Sequence, residues 1–501
     1  MILNTATGVQ SPSYLDFIRR KGANRDYLLY AIGLCIVQFV IFKLLYPFPD
    51  FFNDSFWYIK AATENLDINM WPIGYSKFLS AFHSLTSSDI ALVSFQYFFM
   101  QLAALHFYFT ILYFFPTTRW LRNILLLFLF INPLTLYLGN LIASDALYGA
   151  LTLLWLTELI WIIKRPRIYH LFTQSILFFL CFTIRNNAYY YPLISALAFI
   201  LSSQPLWRKI TGIVLPIILV IPFVVYTQNV AYKLTGTRQF SLFTGWQLAN
   251  NALYIYDHIT VDSSELSTPE SKELNLISIY FFKDSNFLKL NDYINHFEAN
   301  YYLVASQSPL KIYYALHTPG LTSPVSLVTV KDWGRMSALF EPFGKSIILH
   351  HPLAYLKYFI LPNTWNYLSP PVSDLQKYNY ASSHIDDIIK TWFHYPGNNI
   401  YCVSYDWQAN LRVYKIFSLF VNIYFLIQFI LLVTRIRFVQ FLKGDYSLYL
   451  LATTYLLINF IFSVCVTINI LRYQYIPMYL LLTFGLLMHA NYYEYKRKHI
   501  S

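Results

Sequence analysis

The sequence predicts an all-α polytopic membrane protein, and three observations carry that prediction. Of 501 residues, 56% are hydrophobic and only 12% are charged, and the mean hydropathy is +0.42. Soluble domains carry about 25% charged residues. A chain this long would need several cores, each with a polar skin, and this one lacks the charge to supply them. A soluble enzyme, a disordered chain and a disulfide scaffold are thereby excluded. Aromatic residues reach 20%, with 44 Tyr and 11 Trp, which suits a wide membrane–water perimeter. Cys35, Cys181, Cys402 and Cys465 lie far apart, three of them in apolar runs, and form no metal-ligand pattern.

Stretches of about 20 apolar residues can span a bilayer. The candidates are 27–47, 89–115, 120–139, 145–163, 170–184, 188–203, 210–230, 413–434, 446–469 and 473–491, about ten helices in all. The first 25 residues are polar, so the first apolar run reads as a signal anchor rather than a cleaved leader. Three units result: an N-terminal transmembrane module over 1–230, a large loop or domain of ordinary polarity over 231–412, and a C-terminal module over 413–501.

Basic residues assign the sides. Alternate connections carry Arg19, Arg20, Lys21 and Arg25, then Arg119 and Arg122, Lys164, Arg165 and Arg167, and Arg208 and Lys209. The series continues with Arg435, Arg437 and Lys443, and ends with Lys496, Arg497 and Lys498. Under the positive-inside rule these connections are cytoplasmic and account for the net charge of +11. The charge is therefore a topology signal, and no nucleic acid is expected as a partner. The opposite connections, 48–88 and 231–412 among them, face outward.

In 48–88, Phe56, Trp57, Ile59 and Ala62, then Ile73, Phe78, Leu79, Phe82 and Leu85, recur at three- and four-residue spacing. Two amphipathic helices lying in the interface are expected, separated at Pro72-Ile73-Gly74. Asn53-Asp54-Ser55 is formally a glycosylation sequon, expected to stay unmodified.

Ionisable groups at membrane depth are costly and mark function. Asp54 opens the first interfacial helix, Asp145 begins the fourth span, Arg185 closes the fifth and Arg472 opens the tenth. All four fall on the outer surface. Each carboxylate could instead cap its helix, and each arginine could snorkel, but both arginines break the charge pattern of the other short connections. Glu158 and His106 read as internal hydrogen-bond partners, and His351 as a candidate substrate contact. No nucleotide-binding or serine-hydrolase motif is present.

An outward-facing site has no cytoplasmic nucleotide sugar within reach and must use a donor carried across on lipid. A sugar on polyprenyl phosphate leaves without a general acid if guanidinium groups stabilise the phosphate. One carboxylate then suffices to deprotonate the acceptor hydroxyl, with inversion at the sugar. On this reading Arg472→Ala weakens donor use more than expression.

The stretches Asn53-Asp54-Ser-Phe-Trp-Tyr-Ile-Lys, Trp71-Pro72-Ile-Gly74-Tyr75, Ser144-Asp145-Ala-Leu-Tyr148, Thr183-Ile-Arg185-Asn, His351-Pro352-Leu-Ala-Tyr355 and Arg472-Tyr473-Gln-Tyr-Ile-Pro477 resemble, in that order, motifs of the GT-C superfamily. These are polyprenyl-phosphate-sugar-dependent glycosyltransferases such as aminoarabinose transferases and protein O-mannosyltransferases. The resemblance covers 27–230 and the C-terminal spans. It implies a GT-C-like bundle with Asp54 catalytic and Arg185 and Arg472 at the lipid phosphate. Asp145, Tyr473 and His351 become substrate contacts, and the acceptor a glycan, lipid or protein. The first motif shows one acidic residue where some members have a pair, so no metal or other cofactor is expected. A bacterial inner membrane with a periplasmic active site is expected, because the single sequon, Asn53-Asp54-Ser55, is badly placed for a glycosylated endomembrane enzyme. Two alternatives stand beside this reading. An O-antigen ligase or polymerase would work through Arg335, His317 and His351, and a transporter or lipid flippase would carry polar groups at mid-membrane depth.

Overall fold

A computed structural model describes residues 13–115, 117–283, 299–318, 329–435, 442 and 445–499. Of the positions read above, Arg437, Lys443 and the start of the leading segment lie outside the described residues. Among those described, the chain is all-helical, with two isolated β-bridges and no strands.

Seven helices are long and apolar enough to cross a membrane: Ala23–Leu45, Asp89–Phe114, Arg119–Asn140, Ser144–Lys164, Leu206–Thr235, Trp407–Val433 and Tyr446–Val466. They match seven of the ten expected stretches. Large apolar side chains such as Leu44, Leu102, Ile218 and Ile427 are exposed on them, as lipid-facing positions require. The other three stretches are helical but fall outside that set. Tyr169–Ile184 has 16 residues and Tyr191–Leu201 has 11. At about 1.5 Å per residue neither reaches the roughly 30 Å of a hydrocarbon core. Tyr475–His499 is long enough, with 25 residues, but His489, Asn491 and the tyrosines near its end dilute its apolar character.

Local chemistry explains the breaks. Helix Arg119–Phe130 stops before Asn132-Pro133, where Asn132 Oδ1 accepts from Leu134 N (3.1 Å) and restarts the chain as Pro133–Asn140. Leu206–Thr235 ends at Gly236, whose φ of +80° is the left-handed cap that glycine adopts without strain.

The two amphipathic segments of 48–88 are helices Asn53–Thr63 and Gly74–His83. The first is tied by main chain to the start of Ser144–Lys164. Asp50 N donates to Asn140 O (2.9 Å), Ile142 N donates to Asp50 O (3.1 Å), and Ser55 Oγ donates to Ile142 O (2.7 Å).

Two hydrophobic cores form. One runs through the membrane helices and takes in Val372 to Leu411. The other belongs to 231–360 and captures Ile68 and Met70 from the first loop. Its centre is the pair Thr244–Tyr256 and Val330–His350, which meet at glycines. A Cβ on Gly245 would collide with the Ser337 carbonyl, and one on Gly344 with the Leu248 backbone. Because the obstacle is main chain, Gly245→Ala must spread the helices. A loss of about 1–3 kcal/mol is expected, read as a lower Tm in thermal unfolding, and an unchanged Tm would refute this packing.

Candidate active site

Helix Asn53–Thr63 carries Asp54 in its first turn, and Ser144–Lys164 carries Asp145 in its own. Neither carboxylate caps its helix. In the first, the Ser55 hydroxyl accepts from Phe52 N (3.1 Å), which leaves Asp54 free to turn elsewhere. Both instead meet Arg472, on a 3-10 turn just before Tyr475–His499.

Arg472 Nη1 donates to Asp145 Oδ2 (3.1 Å) and Asp54 Oδ2 (3.3 Å), and Nη2 lies 3.2 Å from both Asp54 Oδ2 and Asp374 Oδ2. Its side chain is 6% exposed. Arg185 Nη1 donates to the other Asp145 oxygen at 2.5 Å. Asp145 thus bridges both guanidinium groups. The Tyr473 ring joins them too, 4.3 Å from Arg185 and 4.9 Å from Arg472.

The four charged residues singled out by sequence therefore form one cluster, with Tyr473 stacked in it. They line a cavity of about 1550 Å³, except Asp145, which sits behind Ser144 in its wall. The snorkelling reading of the two arginines is overturned, because both point inward to carboxylates.

His351 is not part of this cluster. Its Nε2 pairs with Glu265 (3.0 Å) and it does not line the cavity. His317 likewise pairs with Glu273 (3.2 Å), and Arg335 is exposed. Glu158 and His106 are internal partners as expected, bonded to His170 and Tyr14 respectively.

Sequence reasoning missed Asp374. It lies in the Ser373–Leu375 turn after Pro370-Pro371, and Leu471 N donates to Pro371 O (2.9 Å), which brings that turn against Arg472. Nothing in the local sequence sets it apart from other loop acids. The cluster now has three carboxylates to two guanidinium groups, a surplus of one negative charge.

Two asymmetries decide what this arrangement can do. Asp54 spends only Oδ2 on Arg472, and its Oδ1 has no partner among the described residues. Burial, with smaller contributions from Asp374 and Asp145, outweighs the opposing pull of Arg472 and pushes its pKa up to about 6. That value suits a general base near neutrality. Arg185 makes a single side-chain hydrogen bond, so most of its five N–H groups remain available, whereas both Nη atoms of Arg472 are committed.

The rim is strained. Asn379, Tyr380 and Ala381 all have positive φ (46°, 52° and 60°), conformations that cost about 1–3 kcal/mol each and concentrate at functional sites. Asp50, 3% exposed, holds this run in place by accepting from Asn379 N (2.8 Å) and Gln408 Nε2 (3.0 Å). Burial pushes the pKa of Asp50 up to about 7.

Among the described residues, no group of three or more His, Cys, Asp or Glu is arranged to hold a metal ion. Fold and site together define a helical protein with seven membrane-competent helices and a charged cavity at the ends of several of them. The chain matches no family model, no curated protein and no solved structure.

Proposed function

We propose that this protein is an integral membrane glycosyltransferase of GT-C type, moving a sugar from a polyprenyl-phosphate donor to an acceptor hydroxyl of a glycan, lipid or protein. The observation that carries the reading is the free Oδ1 of Asp54 in a large cavity, on a carboxylate whose pKa lies near 6. Asp54 takes the proton of the acceptor hydroxyl as its oxygen attacks the anomeric carbon. The bond from that carbon to the phosphate oxygen breaks, and phosphate leaves with the electron pair. Arg185, with donors to spare, stabilises the leaving phosphate. Arg472 is a positioning residue that orients Asp54 and Asp145, a role different from the phosphate contact its sequence position suggests. The reading places the three shorter or less apolar helices beside the seven to complete a ten-helix bundle. It also puts the cavity on the periplasmic side of a bacterial inner membrane.

The ligase alternative loses support, because Arg335, His317 and His351 lie outside the cavity. The test is release of polyprenyl phosphate by the full-length protein in nanodiscs, offered a panel of polyprenyl-phosphate hexoses and scored by mass spectrometry. A base must be unprotonated to work, so the rate should rise with pH through about 6 and level off above 7. A rate that falls over that interval would remove Asp54 from the role of base.

A further inference from the structure

Among the described residues, four Lys and Arg side chains line the cavity, and both arginines have carboxylate partners. Lys60 and Lys311 have no carboxylate partner among the described residues. Lys311 is the more costly of the two. It stands in the first turn of helix Pro309–His317, where the helix dipole disfavours a cation. Its Nζ lies 4.9 Å from the Trp246 ring and 4.8 Å from that of Trp333, and these two indoles are stacked 4.0 Å apart. Burial there brings its pKa down to about 8. A position that served packing alone would be filled by Met or Leu without desolvating a charge.

Lys311 also ends a line of aromatic rings. The line begins at Tyr58, whose hydroxyl donates to Ser144 Oγ (3.1 Å) beside the charged cluster. Trp71 follows at 5.4 Å, Phe243 at a further 6.5 Å and Trp333 at a further 6.2 Å, and all four rings line the cavity. These spacings are those of rings in mutual contact, so the four side chains form one continuous aromatic wall. Tyr58 and Trp333 are 4% and 8% exposed, and the half-buried Trp71 and Phe243 between them offer the open aromatic surface. Aromatic faces pack against the CH-bearing faces of sugars, so a groove aromatic at its middle and cationic at one end matches an oligosaccharide that carries negative charge.

We propose that the Tyr58–Trp71–Phe243–Trp333 wall seats a saccharide chain and that Lys311 binds an anionic group on it, at the other end of the wall from Asp54. Placing this chain on the acceptor side rests on the transferase reading; the seat itself does not. The test uses the full-length protein in nanodiscs without donor. Quenching of tryptophan fluorescence is titrated with tetragalacturonate and with its neutral methyl ester. The wild type should bind the acid about tenfold more tightly than the ester. Lys311→Met should bring the acid down to the affinity of the ester and leave the ester unchanged. Lys311→Arg should keep the preference, and Trp333→Ala should weaken both ligands. Equal binding of acid and ester by the wild type, binding of neither by protein with an intact thermal melt, or a preference that survives Lys311→Met would each overturn the proposal. Since no donor is present, a demonstrated seat in a protein that transfers no sugar would refute the acceptor assignment alone.

Discussion

Asp54→Asn is expected to abolish sugar transfer while the protein folds and inserts normally. The amide keeps an oxygen where Arg472 Nη1 and Nη2 now find Oδ2 at 3.3 and 3.2 Å, so the hydrogen-bonded frame survives. Charge balance favours the variant as well, because three carboxylates opposing two guanidinium groups become two opposing two. What disappears is the proton acceptor. An amide cannot take the hydroxyl proton, and loss of a positioned general base costs about 10²–10⁴ in rate. Turnover of a polyprenyl-phosphate sugar and thermal unfolding, measured on the same preparation, separate chemistry from stability. Turnover within about tenfold of the wild type would end the assignment, since even the low end of general-base catalysis exceeds that.

Arg472→Met should act in the opposite way, on the fold before the chemistry. The guanidinium is 6% exposed and touches three carboxylates, of which Asp145 is 3% exposed. Without it, Asp54, Asp145 and Asp374 face one another with Arg185 as the remaining countercharge, bound to Asp145 alone. Removing one member of a buried pair costs about 3–5 kcal/mol, and here one side chain holds three partners. A large drop in Tm or loss of folded protein is expected. Arg472→Lys should not restore it, because a single ammonium cannot span acceptors now shared between two Nη atoms. Asp374→Asn, which removes only the most exposed of the three acids, should be mild. If Arg472→Met melts like the wild type and loses donor response alone, Arg472 is a phosphate ligand, as its place in the sequence suggests, and not the hub of the cluster.

The difference between those two expectations for Arg472 shows how much of the site was legible beforehand. Asp54, Asp145, Arg185 and Arg472 stand out because a charge at the end of an apolar helix is rare and costly, and because two of them violate the sidedness of the basic residues. Their meeting could be inferred; their stoichiometry could not. Asp374 and Lys311 come from a segment of ordinary polarity, where acids and lysines are common and no periodicity distinguishes one that points into a cavity. Without Asp374, two arginines against two acids look ready for a phosphate.

The same limit applies to the fold. Seven stretches with enough apolar length were readable as membrane-competent helices. The 16- and 11-residue helices correspond to the two shortest stretches read from the sequence, 170–184 and 188–203, and their limits lie where Arg185 and the turn at Asn186–Tyr190 interrupt the run. The second core, around Trp246, Phe340 and Phe343, is built from helices whose apolar residues are too dispersed to suggest a span.

The main-chain rung between Asp50 and Asn140–Ile142 has a further consequence. Backbone amides join the loop that presents Asp54 to the segment leading into the helix that presents Asp145, so among substitutions there only one to proline, which removes an N–H, deletes a bond of the joint. The two acids ride on one splint. The spacing between Asp54 and Asp145 therefore rests on main chain, and residues elsewhere around the cavity can vary without moving it.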